Sequence, residues 1–304
     1  MSELKANIMA MVGPKGGVGK TTISVNLAIA LSRLGKKVTV VDLDLGASNL
    51  HTYLGLKQSR VSLNDFVLKK VDNLSDIVIS TDIDGMSVIC GGDIPGIANL
   101  HYQKKMKLIR HLKNLKADIV LLDLGAGASF NVVDFVIFSQ QGLLVTTPEI
   151  PSLYNLYSFI KTYLFRRLIF KFKGLKNNAI LTLLEDAKDF EANPHLNTMN
   201  GILTEAEKID PASVELINGL LNTIKPFVIV NRAKSQKDSN TGKVIQNLMN
   251  TYLNINSSVL FSVHEDNRVG YSLTKSRPVM IEAPDSLFAS DINSIAAMLC
   301  RDYL

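Results

Sequence analysis

Residues Gly13-Pro-Lys-Gly-Gly-Val-Gly-Lys-Thr-Thr22 lie between an apolar run, Ile8 to Val12, and a helical pattern that starts at Thr21 and continues through Val25, Leu27, Ala28 and Leu31. Strand, glycine-rich turn and helix in that order leave few folds open to the chain. Backbone amides in such a turn point inward. Together with the positive end of the following helix they form a concavity for phosphate oxygens, to which Lys20 adds a point charge and Thr21 a hydroxyl suited to Mg²⁺. Gly16, Gly17, Val18, Gly19, Lys20, Thr21 and Thr22 are therefore the expected lining of a nucleotide phosphate cradle. The strict spacing G-x-x-x-x-G-K-[ST] misses by one place, because Pro14 stands where the first glycine belongs and Gly13 precedes it.

Further apolar runs follow at Val38–Val41, Met86–Cys90, Asp118–Leu122, Gly142–Thr146, Pro226–Val230 and Ser258–Val263, separated by helical stretches. Strands that are apolar throughout belong to a parallel sheet covered on both faces, so the expected fold is α/β: a doubly wound, mainly parallel sheet. Ligands in such sheets bind beyond the carboxyl ends of the strands, and the polar motifs here follow strand ends. Asp42 and Asp44 come directly after the second run and, two residues apart in extended chain, aim at the same face. Carboxylates beside a phosphate cradle suit ligation of Mg²⁺ through water and orientation of an attacking water; a solvent-facing strand end is the plainer alternative. Ile119-Val-Leu-Leu-Asp123 delivers a third carboxylate from a buried strand. Thr146-Thr-Pro-Glu149 reads as a turn, with Glu149 opening the next helix, and Asn231-Arg232 ends another strand. The Asn231 amide could pair with both a donor and an acceptor on a purine edge, or be a turn residue only.

KGGVGKT, with Lys15 ahead of the paired glycines, resembles the deviant Walker A motif of the MinD/ParA ATPases. D-x-D-x-G-x-x-N over Asp42 to Asn49 resembles the first switch of its MinD branch, and Asp123-Leu-Gly125-Ala-Gly127 the second switch of the FlhG (FleN) branch, with Gly125 where many relatives carry proline. The resemblance implies a P-loop ATPase that takes ATP/ADP and Mg²⁺. It implies Lys15, Lys20 and Asp44 as catalytic residues, with Lys15 reaching the phosphates bound by a second subunit. Thr21, Asp42, Asp44 and Asp123 would serve the metal, partly through water, Gly125 would sense the γ-phosphate, and Asn231 and Arg232 would contact adenine. Asn49 lies where the family's switch meets the partner chain. The implied function is a slow, partner-stimulated switch ATPase, homodimeric with ATP, that positions or regulates a cellular structure such as the division site or the flagella. A ParA-type DNA-partitioning ATPase, binding non-specific DNA as an ATP dimer, is the alternative.

Outside these motifs the stretch Asn155–Lys225 departs from the family, and a helical insertion at about 161–223 is expected within a single domain spanning 1–304. Its first part holds six cations and no acid: Lys161, Arg166, Arg167, Lys171, Lys173 and Lys176. From 177 to 225 eight acids face three lysines. The opposed charges either pair within a small lobe or leave a basic surface for a partner or membrane, with Tyr163, Phe165, Phe170 and Phe172 interleaved. At about 100° per residue the cations point in nearly every direction, which argues for a docking lobe or added core over an interfacial lipid anchor. Pro284-Asp285 starts the last helix, with Asp285 as its expected N-cap and Phe288, Ile292, Ile295, Ala296, Leu299 and Tyr303 as its apolar stripe. No Lys/Arg-rich targeting helix follows it, so membrane contact by that device is not expected.

Composition excludes several classes. At 46% hydrophobic and 20% charged, the 304-residue chain is globular. A net charge of +5 argues for neither DNA nor an anionic lipid surface. Cys90 and Cys300 are too few and too far apart for the iron–sulfur and nitrogenase-reductase proteins that share the cradle, and His51, His101, His111, His195 and His264 fall in no ligand spacing. Without a signal peptide pattern or an apolar run near roughly 18 residues, the expected location is the bacterial cytoplasm, with peripheral contact at the inner membrane left open.

Overall fold

A computed structural model describes residues 5–44, 48–57, 61–92, 100, 102–189, 191–256 and 258–304. Positions 45–47 of the first switch and His101 lie outside the described residues. The strands are β1 (Asn7–Val12), β2 (Val38–Leu43), β3 (Ile79–Ser80), β4 (Met86–Ile89), β5 (Ile119–Leu124), β6 (Gln141–Thr146), β7 (Phe227–Ala233) and β8 (Val259–His264). Among the described residues they form one sheet in the order β3-β4-β2-β5-β1-β6-β7-β8. Every pairing is parallel except β3 with β4. The expected mainly parallel, doubly wound sheet is therefore present. The addition is β3, an antiparallel edge strand whose two residues are too few to carry a period.

The strands are apolar throughout because each feeds two cores. Ile8, Ala10, Val12, Val120 and Leu122 face one. Met9, Met11, Val38, Val40 and Leu121 face the other. That division is the two-residue period of extended chain written into a sheet covered on both sides.

The helices in chain order are α1 (Lys20–Arg33), α2 (Leu50–Tyr53), α3 (Leu63–Val67), α4 (Tyr102–Lys113), α5 (Phe130–Phe138), α6 (Ile150–Gly174) and α7 (Asn178–Asp186). After them come α8 (Met199–Ile209), α9 (Pro211–Asn222), α10 (Gln236–Ser239), α11 (Thr241–Leu253), α12 (Asn267–Thr274), α13 (Val279–Glu282) and α14 (Leu287–Asp302). Helix α1 is buried on every side from Lys20 to Ser32, wedged between the sheet and α14. The stripe on α14 is buried from Phe288 to Leu299 as its periodicity requires, while Tyr303, just past the helix, is half-buried. Its cap differs from expectation: the Ser286 hydroxyl accepts from the Ala289 amide, while Asp285 accepts from Arg268 Nη1 at 3.2 Å.

Helix α6 runs 25 residues without a break at Lys161. Helices α7, α8 and α9 follow it, opened by side-chain caps from Asn177, Thr198 and Asp210. Ile180, Leu184, Met199, Ile202, Ile217 and Leu221 join the same core as β1 and β5, so this helical segment adds to the core. Arg166 turns out of the segment to Asp134 of α5, at 2.9 Å from Nε to Oδ1. Glu185 and Glu205 bind lysines one turn along, Lys188 and Lys208.

Candidate nucleotide site

The cradle lies between β1 and α1, at the carboxyl end of the sheet's central strand. Gly17 and Gly19 have φ values of 77° and 92°, a region that side-chain-bearing residues rarely adopt. At Gly19 space is closed as well: a Cβ there would lie 2.3 Å from Asn231 Nδ2. At Gly16 and Gly17 a Cβ would project into open space, so the loop's inner surface is bare backbone, as close approach by phosphate requires.

The two lysines of the loop sit apart. Lys20 is buried, and its Nζ donates to Asp123 Oδ1 at 2.9 Å; Lys15 is exposed on the rim. Thr21 Oγ1 donates to Asp123 Oδ2 at 2.7 Å, and Ser24 Oγ to Oδ1 at 2.9 Å. A hydroxyl and a carboxylate held this close are hard oxygen donors of the kind Mg²⁺ takes, so the residues present suit that ion. Ser24 was not singled out from the sequence. Its signal is its place one turn after Lys20, facing the strand that carries Asp123.

Asp42 and Asp123 are register partners on β2 and β5. Asp42 is wholly buried, and burial first, then the Asp123 charge, pushes its pKa above the ordinary carboxylate value. Its oxygens accept from the amides of Asp44, Asn49 and Leu50 and from the Ser48 hydroxyl, at 2.8 to 3.1 Å. In this structure Asp42 thus anchors the first switch to β2. The Asp44 carboxylate takes no part in that network and lies beside Gly125: a Cβ on Gly125 would come within 3.4 Å of Asp44 Oδ1. The pair borders a cavity of about 180 Å³ that Ser129 and Asn131 also line. The second switch meets the cradle directly, Gly127 donating its amide to the Gly13 carbonyl at 3.3 Å.

On the other side of the cradle a cavity of about 380 Å³ is bounded by Gly19, Thr22, Tyr53, Asn231, Arg232 and His264. Asn231 is buried and donates from Nδ2 to the Val18 carbonyl at 2.8 Å, which ties β7 to the glycine loop. Arg232 sits at the irregularity between β7 and β8 with φ 60°, a strained value of the kind that re-aims a side chain at a strand end. Sequence spacing gave His264 no role. It ends β8 on the ligand side of the sheet, lines this cavity, and holds Asp291 Oδ2 through Nδ1 at 2.8 Å. At the rim, the Thr147 hydroxyl, and after it the charges of Lys15 and Arg232, hold the Glu149 carboxyl below its ordinary pKa, so these three charged groups share one edge.

Glycine loop, Lys20, Thr21, Asp123, Asp44 and Gly125 thus converge from three separate stretches of chain. The chain is 34% identical over 156 residues to the antiactivator FleN of Pseudomonas aeruginosa, covering 51% of this chain and 55% of that one. It is 32% identical over 152 residues to the septum site-determining protein MinD of Synechocystis, covering 48% and 54%. The chain spans about half the length of the curated relatives it matches. Its fold superposes on the septum site-determining protein MinD complexed with Mg-ADP from Pyrococcus horikoshii with a TM-score of 0.63, at 20% identity and over 97% and 96% of the two chains. The sequence profile of the CobQ/CobB/MinD/ParA nucleotide binding domain matches residues 9–279, and the chain belongs to that family.

Proposed function

We propose that this protein is a switch ATPase that binds ATP with Mg²⁺, dimerises around it, and converts ATP and water to ADP and phosphate slowly until a partner protein stimulates it. In this reading it is one domain with the helical segment 161–223 inserted, and it regulates or positions a cellular structure, as the names of its FleN and MinD relatives suggest for them. The observation that carries the proposal is the separation of the loop's two lysines, one buried against Asp123 and one exposed beside Glu149 and Arg232. A single-chain site needs only the first.

The roles follow from position. Lys20 and the backbone amides from Gly16 to Thr22 hold the phosphates, and Asn231 and Arg232 border the base. Thr21 and Asp123 hold the metal, with Asp44 and Asp42 in support; when bound, Mg²⁺ supplies neutralisation of charge on the transferred phosphoryl group. The Asp44 carboxylate, which takes no part in the network that occupies Asp42, orients the attacking water. Gly125 stands next to it on the second switch, so one glycine amide and one carboxylate can respond to the same terminal phosphate. Lys15 completes the charge around the partner's phosphates, which links association to the nucleotide. ADP lacks the group that holds this contact, and hydrolysis releases it.

Phosphate release under Mg-ATP tests the chemistry. Asp44→Asn should keep nucleotide binding and lose turnover by about a hundredfold, the size of a lost water-orienting group. Turnover at the wild-type rate would remove Asp44 from the mechanism. The same variant, held in its ATP state, is the bait for identifying the partner.

A further inference from the structure

The cavity of about 380 Å³ beside the cradle reaches from Gly19 and Thr22 to the end of β8, where His264 lines it. Strand pairing sets Val263 opposite Asn231 and His264 opposite Ala233, so the imidazole stands beside the strand end that carries Arg232. The ring is about half exposed and is held at one edge. Asp291 Oδ2, on α14, accepts from the His264 amide at 2.8 Å and lies 2.8 Å from Nδ1 of the same residue. A carboxylate oxygen only accepts, so in the neutral ring the hydrogen sits on Nδ1 and Nε2 keeps its lone pair. Nε2 has no partner among the described residues. The two acids that follow it on the same wall have cations of their own, Glu265 with Lys234 and Asp266 with Arg268, each at 3.2 Å. Val269, Leu273 and Phe288 add an apolar wall of the kind on which a flat heterocycle packs.

We propose, building on the nucleotide site above, that His264 is a specificity residue whose Nε2 accepts a hydrogen bond from the nucleoside, with Asp291 as its positioning residue. The chemistry of the acceptor selects the group it meets. Phosphate oxygens bring no hydrogen, and a lone pair turned toward them is repelled. A nucleoside carries donors in two places, the exocyclic amine of adenine and the sugar hydroxyls, and either satisfies Nε2. A neutral acceptor also suits a cavity next to a polyanion. It turns away a carbonyl, such as the 6-oxo group of hypoxanthine, without adding negative charge beside the phosphates. Asp291 holds both the backbone and the ring of His264, so Nε2 is presented in one direction before the ligand arrives and less rotamer freedom is lost on binding. Because the ring is half exposed, water competes for Nε2. The discrimination expected is that of one solvent-accessible hydrogen bond, about three- to tenfold.

Calorimetry on the full chain with Mg²⁺, at about pH 8, above the range in which an ordinary imidazole takes a second proton, compares four ligands. They are ADP, its 6-oxo analogue IDP, 2′-deoxy-ADP and 3′-deoxy-ADP. His264→Asn keeps a donor to Asp291 in place of Nδ1 and removes the acceptor at Nε2. ADP should bind this variant about three- to tenfold more weakly than it binds the wild type. The one analogue that lacks the bonded donor should not be weakened by the variant, while the other two should be. Which analogue that is separates the amine from the hydroxyls, and its retained affinity shows that the variant is folded. Asp291→Ala keeps Nε2 but frees the ring, and should shrink the same selectivity; an equal loss for all four ligands would remove Asp291 as the positioning residue. Equal ADP binding by His264→Asn and wild type, or a loss for ADP matched by the same loss for all three analogues, would overturn the role of His264 and leave the nucleotide site standing. A wild-type chain that binds none of the four would overturn the nucleotide site and this role with it.

Discussion

Asn231 can act on the nucleotide base or on the glycine loop, and its replacement by alanine separates the two. The side chain is buried and donates to the Val18 carbonyl at 2.8 Å. Val18 is itself buried, so losing the donor leaves a buried carbonyl unpaired, a loss of about 1–3 kcal/mol. With 1.4 kcal/mol per factor of ten, and the loop's order recovered only on binding, phosphate affinity should fall by about 5- to 150-fold. Asn231→Asp should lose at least as much, because a carboxylate oxygen would then face the carbonyl. The assay is competition against a fluorescent nucleotide by ATP and, separately, by inorganic tripolyphosphate, which has no base. A residue acting through the loop weakens both ligands by the same factor. If ATP weakens while tripolyphosphate is unchanged, the loop argument is wrong and Asn231 reads the base alone.

Asp134 holds Lys105 and Arg166 together in the interior, joining α4, α5 and α6, and the Arg166 guanidinium also lies over the Phe130 and Phe170 rings. Asp134→Ala should lower unfolding stability in urea by about 3–5 kcal/mol, because it leaves a buried lysine uncompensated. Adding Lys105→Met to the same chain should recover part of that loss. Thr21→Ala should weaken Mg²⁺-dependent nucleotide binding by about tenfold, the size of one charge-assisted contact, whereas Thr21→Ser should keep it. Burial, and then the Asp42 charge, push the Cys90 thiol up to about 11. A disulfide reagent near neutral pH should therefore modify the half-exposed Cys300 in the folded protein and reach Cys90 only after unfolding.

Much of this architecture could be read from the chain because the relevant signals are local. Continuous apolar runs named the central strands, and Lys20, Thr21 and Asp123 were found because each follows or precedes a strand in a fixed order. What the sequence left out depends on distant residues. The two-residue β3 has no length for a period. Ser286 displaced Asp285 as the cap of α14 because Arg268 takes the aspartate. Spacing placed Asp42 near the metal, but the four donors of its own loop that also bind it are contacts no spacing rule counts. The six basic residues from Lys161 to Lys176, five of them on α6, looked scattered as a set. Only the position of α7 against α6 shows which three, Lys161, Arg166 and Lys173, face one cavity.

The central claim is that Lys15 turns a nucleotide cradle into a two-chain switch. Multi-angle light scattering on the purified chain measures it directly. With ATP and Mg²⁺ and hydrolysis blocked by Asp44→Asn, the mass should be twice 33.4 kDa, and with ADP it should be 33.4 kDa. Lys15→Ala in the same background should bind ATP and remain at 33.4 kDa. A Lys15→Ala protein that doubles its mass with ATP as fully as its parent would contradict the account.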